Sequence, residues 1–254
     1  MSMIFKYIFD NEISPQDTLL LSLYDLGALS TRQFCTLTGW TPNKFWVTIS
    51  RIRKAQGEDW VISKSTKYHL DRYYYILGRG GLRYCGKLLR KKVSLNIINE
   101  FIVQNRHILG LNEILVRLVE SGVDRRKIVW LSTKEATDFL YRLYRHHDPG
   151  VEKKDLLRPD ARLVIEPHDI SAWIEYDNST EGPLQIEQKY IRYIETLEAL
   201  SKRDPVIWVA RDKMRKQYLE NIWESLRRLN YRNHWVPKMY FFSAGEEVSY
   251  FIKE

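Results

Sequence analysis

The chain has 254 residues, of which 44% are apolar and 28% are charged, so it can bury a core and is not intrinsically disordered. Its 40 Lys and Arg residues outnumber its 32 Asp and Glu residues, which gives a net charge of +8. Two cysteines outside any CxxC pair exclude a disulfide framework and a zinc site of that type. Because the sequence has no run of about 18 apolar residues and no secretory leader, we expect a cytoplasmic protein without membrane attachment.

The net charge lies entirely in the amino-terminal part of the chain. Residues 1–97 contain 15 basic and 7 acidic residues, whereas residues 98–254 contain 25 of each. Basic residues that face DNA release condensed counterions, so this asymmetry predicts a polyanion partner for the first part. We expect a DNA-binding domain over residues 1–92 and a second domain over residues 93–254.

Two short helices are predicted at the start of the first domain. The spacing of apolar residues after Pro15 indicates a helix that ends at Gly27. A second helix begins at Ser30 or Thr31, either of which can cap it, and ends at Gly39.

A third, basic helix is predicted over residues 42–55, with Thr41 as its N-cap and a proline in its first turn. Phe45, Ile49 and Ile52 form its apolar stripe. Its opposite face carries Asn43, Lys44, Val47, Ser50, Arg51 and Lys54. A helix in the major groove of DNA uses such side chains for phosphates and base edges.

Two strand-like runs, residues 59–63 and 72–77, follow the third helix and are joined by a polar loop. Three helices and a basic hairpin are typical of a winged helix-turn-helix. We therefore expect double-stranded DNA to be contacted by Asn43, Lys44, Ser50, Arg51, Lys54, Lys64 and Lys67. The alternative is a solvated helix face beside a surface hairpin.

Helices and strands alternate in the rest of the chain. Helices are predicted over residues 94–120, with a break near Gly110, around residues 139–144, and over residues 184–201 and 213–229. Strands are predicted over residues 127–131, 157–165, 170–176, 205–210 and 236–242. This alternation predicts an α/β domain built around a mixed sheet, and an α+β fold for the whole chain.

Carboxylates cluster on two neighbouring predicted strands of this domain. Asp160 opens one strand, and Glu175 and Asp177 lie on the next, where alternation directs both to one face. Three convergent carboxylates suit Mg²⁺ or Mn²⁺, which can activate water and stabilise a leaving oxygen. Lys189, on the following helix, can reach the attacking water or the phosphate.

These residues resemble the restriction-endonuclease-like PD-(D/E)XK core, in which a Pro-Asp pair precedes a glutamate within the order helix, strand, strand, strand, helix, strand. The whole chain resembles the plasmid-associated replication-relaxation family through three short stretches. They are Arg-Pro-Asp-Ala (158–161), Glu-Tyr-Asp-Asn-Ser-Thr-Glu (175–181) and Lys-Tyr-Ile-Arg-Tyr (189–193). The resemblance implies a DNA-binding protein of a mobile element with a nuclease or nickase fold in its second domain.

The sequence departs from the endonuclease pattern at one position. The pattern has a lysine two residues after its glutamate, where this chain has Asp177, so Lys189 has to supply the ammonium group. We assign Asp160, Glu175 and Lys189 as catalytic, and Asp160, Glu175 and Asp177 as ligands of Mg²⁺ or Mn²⁺. The winged helix then selects the DNA site that the second domain nicks or cuts.

Three alternatives remain open at this point. In the first, the nuclease fold is degenerate and the protein is a non-catalytic regulator of plasmid replication or transcription, whose second domain forms a homodimer or binds a partner. In the second, Asp177 or Thr180 caps a helix and Lys189 is solvated. In the third, Tyr190 or Tyr193 is the nucleophile of a relaxase.

Four tryptophans of the second domain allow a stacking platform for single-stranded DNA, but their positions inside strand and helix patterns favour core packing. They are Trp173, Trp208, Trp223 and Trp235.

Overall fold

The computed structural model describes residues 10, 12–66, 71–147, 150, 152, 156–166, 170–231 and 234–252, without the side chains of residues 147 and 230. These residues form two compact units, one within residues 1–126 and the other within residues 127–254. The division lies later than the boundary after residue 92 that the sequence analysis predicts. The charge asymmetry persists, because the first unit has 19 basic and 11 acidic residues and the second has 21 of each.

The first unit places three helices before a hairpin. Its elements are α1 (Pro15–Leu26), β1 (Ala28–Ser30), α2 (Thr31–Thr38), α3 (Pro42–Gln56), β2 (Val61–Ser65), β3 (Tyr73–Leu77), α4 (Arg79–Leu88), α5 (Ile97–Val103) and α6 (Asn105–Glu120). β3 lies between β1 and β2, and both pairings are antiparallel. This is the winged-helix arrangement expected from the sequence, with β1 as an additional strand.

The predicted caps define where α2 and α3 begin. The hydroxyl of Ser30 accepts from the backbone N–H of Gln33, whose side chain accepts from the backbone N–H of Ser30, forming a capping box. Thr41 accepts from the backbone N–H of Lys44 at the start of α3. Gly39 ends α2 at a positive φ of 73°, a conformation that glycine adopts without steric cost.

Buried polar contacts make α6 part of the first unit. The amide of Asn112 donates to the backbone oxygens of Leu26 at 2.9 Å and Ala28 at 2.8 Å. The amide of Gln33 donates to the backbone oxygen of Leu109 at 2.8 Å. Because these bonds join α6 to α1, β1 and α2, the winged helix and α6 form one body.

The second unit is a mixed five-stranded sheet with helices. Its elements are β4 (Ile128–Ser132), α7 (Thr133–His147), β5 (Ala161–Ile165), β6 (Ile170–Asp177), α8 (Pro183–Ala199), β7 (Val206–Ala210), α9 (Lys213–Asn230), β8 (Met239–Ser243) and α10 (Val248–Phe251). The strand order is β4-β5-β6-β7-β8. The pairs β4-β5 and β5-β6 are antiparallel, and β6-β7 and β7-β8 are parallel. The mixed α/β class is confirmed.

One face of this sheet packs against α7, α8 and α9. Trp173 of β6 and Trp208 of β7 are buried beside Tyr190 of α8 and Trp223 of α9. The Tyr190 ring lies edge-on to Trp208 and Trp223, with centroids 4.9 and 5.4 Å apart. Trp235 is half-buried against the same cluster. Core packing of these tryptophans is confirmed, and burial leaves Trp173, Trp208 and Trp223 no face for stacking on bases.

Some element boundaries differ from the sequence-based expectation. The helical pattern of residues 94–120 breaks at Gln104, between α5 and α6, and Gly110 lies inside α6. β5 begins at Ala161, directly after Asp160. Within the ranges that the structure describes, no helix is long and apolar enough to cross a bilayer.

Candidate functional site

Two of the predicted acidic residues face each other across β5 and β6. The antiparallel register pairs Ala161 with Ile174, so Asp160 lies opposite Glu175, and residues opposite each other share a face of the sheet. Oδ2 of Asp160 accepts a hydrogen bond from the backbone N–H of Tyr176 at 2.8 Å. Asp160 is therefore held beside the carboxyl end of β6, close enough to Glu175 for the two charges to interact.

Glu175 is 0% exposed and is bound by α8 through both of its carboxylate oxygens. Lys189 Nζ lies 2.5 Å from Oε2, and the hydroxyl of Tyr193 donates to Oε1 at 2.5 Å. The Lys189 ammonium also lies 5.5 Å from the centroid of the Trp208 ring. Lys189 is thus paired with Glu175, although its side chain keeps 22% of its exposure.

The charges of this cluster depend on one another. Burial, reinforced by the neighbouring charge of Asp160, raises the pKa of Glu175 to about 8 although Lys189 acts in the opposite direction. Burial lowers the pKa of Lys189, but the charges of Glu175, Asp160 and Glu181 outweigh burial and raise it overall. Lys189 therefore stays an ammonium group at neutral pH, and its charge opposes the rise that burial causes in the pKa of Glu175.

Asp177 lies on the same strand face but is held by another helix. Its Oδ1 and Oδ2 accept from Nε and Nη2 of Arg215 at 2.8 and 2.9 Å, a bidentate pair. Oδ1 also accepts from the backbone N–H of Ser179 at 2.6 Å. Asp212 caps α9 and so places Arg215 in the first turn of that helix. Arg215 is not predicted from the sequence, because no motif near Asp177 indicates it.

The chemistry of the carboxylates fits a divalent cation only in part. Asp160 and Glu175 supply the hard oxygen donors that Mg²⁺ prefers, and one or two carboxylates beside a phosphate are its usual protein ligands. Both carboxylate oxygens of Asp177 accept hydrogen bonds from Arg215. A cation that binds Glu175 has to compete with Lys189 for Oε2. Among the described residues, no three His, Cys, Asp or Glu side chains are grouped to hold a metal ion. The residues thus suit a two-carboxylate site, and the three-ligand set stays a prediction.

The tyrosines of α8 are packed into the interior. Tyr190 and Tyr193 are both 0% exposed, and the Tyr190 hydroxyl donates to the backbone oxygen of Leu219 at 3.0 Å. Burial, as the main cause, raises the pKa of both phenols. Both groups are therefore held as neutral donors, which argues against either as the nucleophile of a relaxase.

The predicted DNA-binding face of α3 is exposed. Phe45, Ile49 and Ile52 are buried on the opposite side. The exposed residues are Asn43, Lys44, Val47, Ser50, Arg51 and Lys54 on α3, and Lys64 on β2. Lys67 lies outside the described residues. The helix therefore presents a polar and basic surface while its apolar stripe holds it to the unit.

Arg53 of α3 binds the hairpin, whereas its basic neighbours Arg51 and Lys54 are exposed. The sequence pattern of α3 does not distinguish these roles. Its guanidinium donates to the backbone oxygen of Val61 through Nε at 3.2 Å and Nη2 at 2.9 Å, and Nε lies 3.1 Å from Glu58. Trp46 keeps 46% of its exposure and contacts Tyr75 of β3 edge-on. Arg53 thus joins α3 to the hairpin and fixes their relative position.

A model of the replication-relaxation family matches residues 20–207, about three quarters of the chain. The chain therefore belongs to the replication-relaxation family, and this membership indicates a role in the replication or relaxation of a plasmid or other mobile element. The matched range includes α3 and all three sequence stretches on which the resemblance rests. Comparisons with curated proteins and with solved structures gave no significant match.

Proposed function

We propose that the chain binds double-stranded DNA of a plasmid or mobile element through α3 and the β2–β3 hairpin. The observation that carries this proposal is the division of α3 into a buried apolar stripe and an exposed polar face. Cations on that face can contact phosphates, and Asn43, Ser50 and Arg51 can contact base edges in the major groove.

Paired charge-neutralising variants test DNA binding. Arg51→Gln with Lys54→Gln removes two cations from the exposed face of α3, and Lys134→Gln with Lys213→Gln removes two exposed cations from the second unit. We expect the α3 variant to bind a duplex fragment of its own plasmid about 10- to 100-fold more weakly, as measured by fluorescence anisotropy. The second variant should bind like the wild type. Equal affinities for all three proteins contradict the proposal.

We further propose that the second unit is a restriction-endonuclease-like domain that nicks DNA, with Asp160, Glu175 and Lys189 as its catalytic residues. The order β4, β5, β6, α8, β7 supports this assignment, with α7 lying between β4 and β5 in the chain. The facing carboxylates and the adjacent ammonium group support it as well.

Each residue of the cluster has a separate role in this proposal. Asp160 and Glu175 would hold Mg²⁺ or Mn²⁺, which when bound supplies activation of water and stabilisation of the leaving oxygen. Lys189 holds its proton and would orient the phosphate or the attacking water. Tyr193 fixes the carboxylate of Glu175 through its hydroxyl. Arg215 fixes the end of β6 by holding Asp177.

A plasmid-nicking assay tests this part of the proposal. Asp160→Asn retains an oxygen acceptor for the N–H of Tyr176 but loses the charge. Glu198→Gln, a matched control, removes an exposed carboxylate from α8. We expect the wild type and the control to nick supercoiled plasmid with Mg²⁺ or Mn²⁺, and Asp160→Asn to bind DNA without nicking it. Undiminished nicking by Asp160→Asn refutes the assigned role.

A second candidate, a non-catalytic regulator, is favoured by one observation. Glu175 is completely buried and both its oxygens are already bound, as expected for a nuclease fold kept for its structure. This candidate predicts footprints on the plasmid with no cleavage by the wild type in either metal. In that outcome Asp160, Glu175 and Lys189 act as a buried ionic cluster, and the proposal of DNA binding by α3 is unaffected.

A further inference from the structure

The positive charge of the first unit is concentrated outside the predicted recognition helix. Residues 72–99 contain seven basic residues and no acidic residue. The structure describes this segment without a gap, as the end of the hairpin, α4 and the turn that follows. Seven of the unit's eight net charges therefore lie here, because the basic residues in the rest of the unit, including those of α3, are nearly offset by acidic residues elsewhere in it.

The cations of α4 lie on its solvent side. Arg79, Arg83 and Lys87 are exposed and four residues apart, so they are separated by about 6 Å along one side of the helix. Leu82 and Cys85 are buried on the other side. The packing of α4 does not require these cations, because any polar side chains would serve on its solvent side.

The turn after α4 brings further cations back onto the helix. The backbone N–H of Lys91 donates to the oxygen of Gly86 at 2.9 Å, inside α4. Gly86 permits this approach, because a Cβ there would lie 2.9 Å from Val93. The result is an open concavity of about 470 Å³, in which five of the seven lining residues are basic: Arg83, Lys87, Arg90, Lys91 and Lys92.

Arg90 occupies a backbone conformation that disfavours its own side chain. Its φ is +52°, in the left-handed region that glycine and asparagine adopt more readily. A helix end of this kind commonly uses glycine. Cations near a helix carboxyl end do stabilise its dipole, but one or two suffice, and the effect is limited to the last turn. The backbone conformation at position 90 favours glycine, so the arginine found there adds charge to the concavity at some conformational cost.

We propose that this basic concavity, defined by Arg83, Lys87, Arg90, Lys91 and Lys92, is a second DNA contact that binds backbone phosphates. This inference rests on the proposed DNA binding by the first unit. It adds a surface that contacts phosphates and does not distinguish between base sequences. Lys and Arg that neutralise phosphates supply affinity through counterion release, whereas base contacts supply specificity. In this proposal the concavity, which holds five of the seven cations of residues 72–99, supplies affinity, and α3 supplies the choice of site.

The salt dependence of DNA binding by the full chain tests this inference. The probe is a 30-base-pair duplex of random sequence, titrated by fluorescence anisotropy over a range of salt concentrations. The triple variant carries Lys87→Gln, Lys91→Gln and Lys92→Gln. Its plot of the logarithm of the association constant against the logarithm of the salt concentration should have a slope smaller in magnitude by about 2.7, since each phosphate contact contributes about 0.9. The control replaces Lys134, Lys213 and Arg228 of the second unit with glutamine and should keep the wild-type slope.

Arg90→Gly separates binding from folding. It removes one cation and places glycine at the positive φ, so we expect the slope to fall by about 0.9 while the Tm is maintained or raised. A wild-type slope in both the triple variant and Arg90→Gly, with binding still weakened by the α3 variant, overturns the second contact alone. A wild-type chain that binds neither this duplex nor its own plasmid overturns both the second contact and the proposed DNA binding.

Discussion

The cations of α3 and the ammonium group of Lys189 are chemically similar but lie in opposite environments. Arg51 and Lys54 are exposed to water, where a charge adds little to stability and is available to a partner. Lys189 is paired with a carboxylate that has no exposure, and Arg215 holds Asp177 in the same way. The exposed cations of α3 thus contribute little to the stability of the first unit, whereas Lys189 and Arg215 hold buried carboxylates of the second unit in place.

The largest effect is expected within α3, where the two faces of one helix can be compared. Phe45 is 1% exposed and contacts Phe34, Trp46 and Tyr75 with ring centroids 5.0 to 5.4 Å apart. Phe45→Ala should lower the free energy of unfolding by about 4 kcal/mol, because it removes a large buried ring and leaves a cavity. Arg51→Gln should change it by less than about 0.5 kcal/mol. Urea unfolding followed by circular dichroism measures both, and similar losses would contradict the division of faces.

A somewhat smaller loss is expected when the buried pair of the second unit is broken. Lys189→Met leaves Glu175 buried without its counter-charge and should cost about 3 kcal/mol of unfolding free energy. The cost is limited because Glu175, whose pKa is already raised, can take up a proton. Adding Glu175→Gln to Lys189→Met should recover part of the loss in a double-mutant cycle. A cost below about 1 kcal/mol would show that the pair is not a structural element.

A loss of about 2 kcal/mol is expected from Asn112→Ala, which tests whether α6 belongs to the first unit. The substitution removes two buried hydrogen bonds and leaves the backbone oxygens of Leu26 and Ala28 without that donor. Limited proteolysis should then cut the variant between α5 and α6 faster than the wild type. Asn105→Ala at the start of α6 is the control, because its amide donates to the backbone oxygen of Ile102 in the preceding turn.

The smallest effect is expected at an exposed turn of the second unit and depends on pH. Glu246 accepts from the backbone N–H of Ser243 and from Lys216, which lowers its pKa to about 2 from 4.5. A lowered folded-state pKa stabilises the protein above the unfolded value and stops doing so as the pH falls towards 2. Glu246→Gln should therefore lower Tm slightly at about pH 6 and by much less at about pH 2. A difference in Tm that is the same at both pH values would contradict this origin.

The local signals in the sequence were sufficient for the helices of the winged helix and for the strands that carry the acids. Thr41 with Pro42, and Ser30 with Gln33, start helices through contacts within one turn, so neighbouring residues fix them. β1 could not be predicted, because three residues show no period and become a strand only by pairing with β3. The break at Gln104 was also misplaced, since Gly110 is accommodated inside α6.

The partners of the acidic residues were decided by the tertiary structure. The alternation along β6 predicted that Glu175 and Asp177 share a face, but it could not show that Lys189 and Tyr193 bind one while Arg215, from a different helix, binds the other. These partners lie 14 to 38 residues away in the chain. Periodicity specifies which face a side chain occupies, whereas the neighbour it meets there depends on how the helices pack on the sheet.

The α/β class, the uneven charge, the basic face of α3 and the family of the chain could all be predicted from the sequence, because each depends on composition or on contacts between near neighbours. The tertiary structure decided that α6 completes the first unit, that Asp177 belongs to Arg215, and that the cations of α4 and its turn converge. Each of these results joins residues through packing, which brings together chain segments whose local patterns are independent of one another.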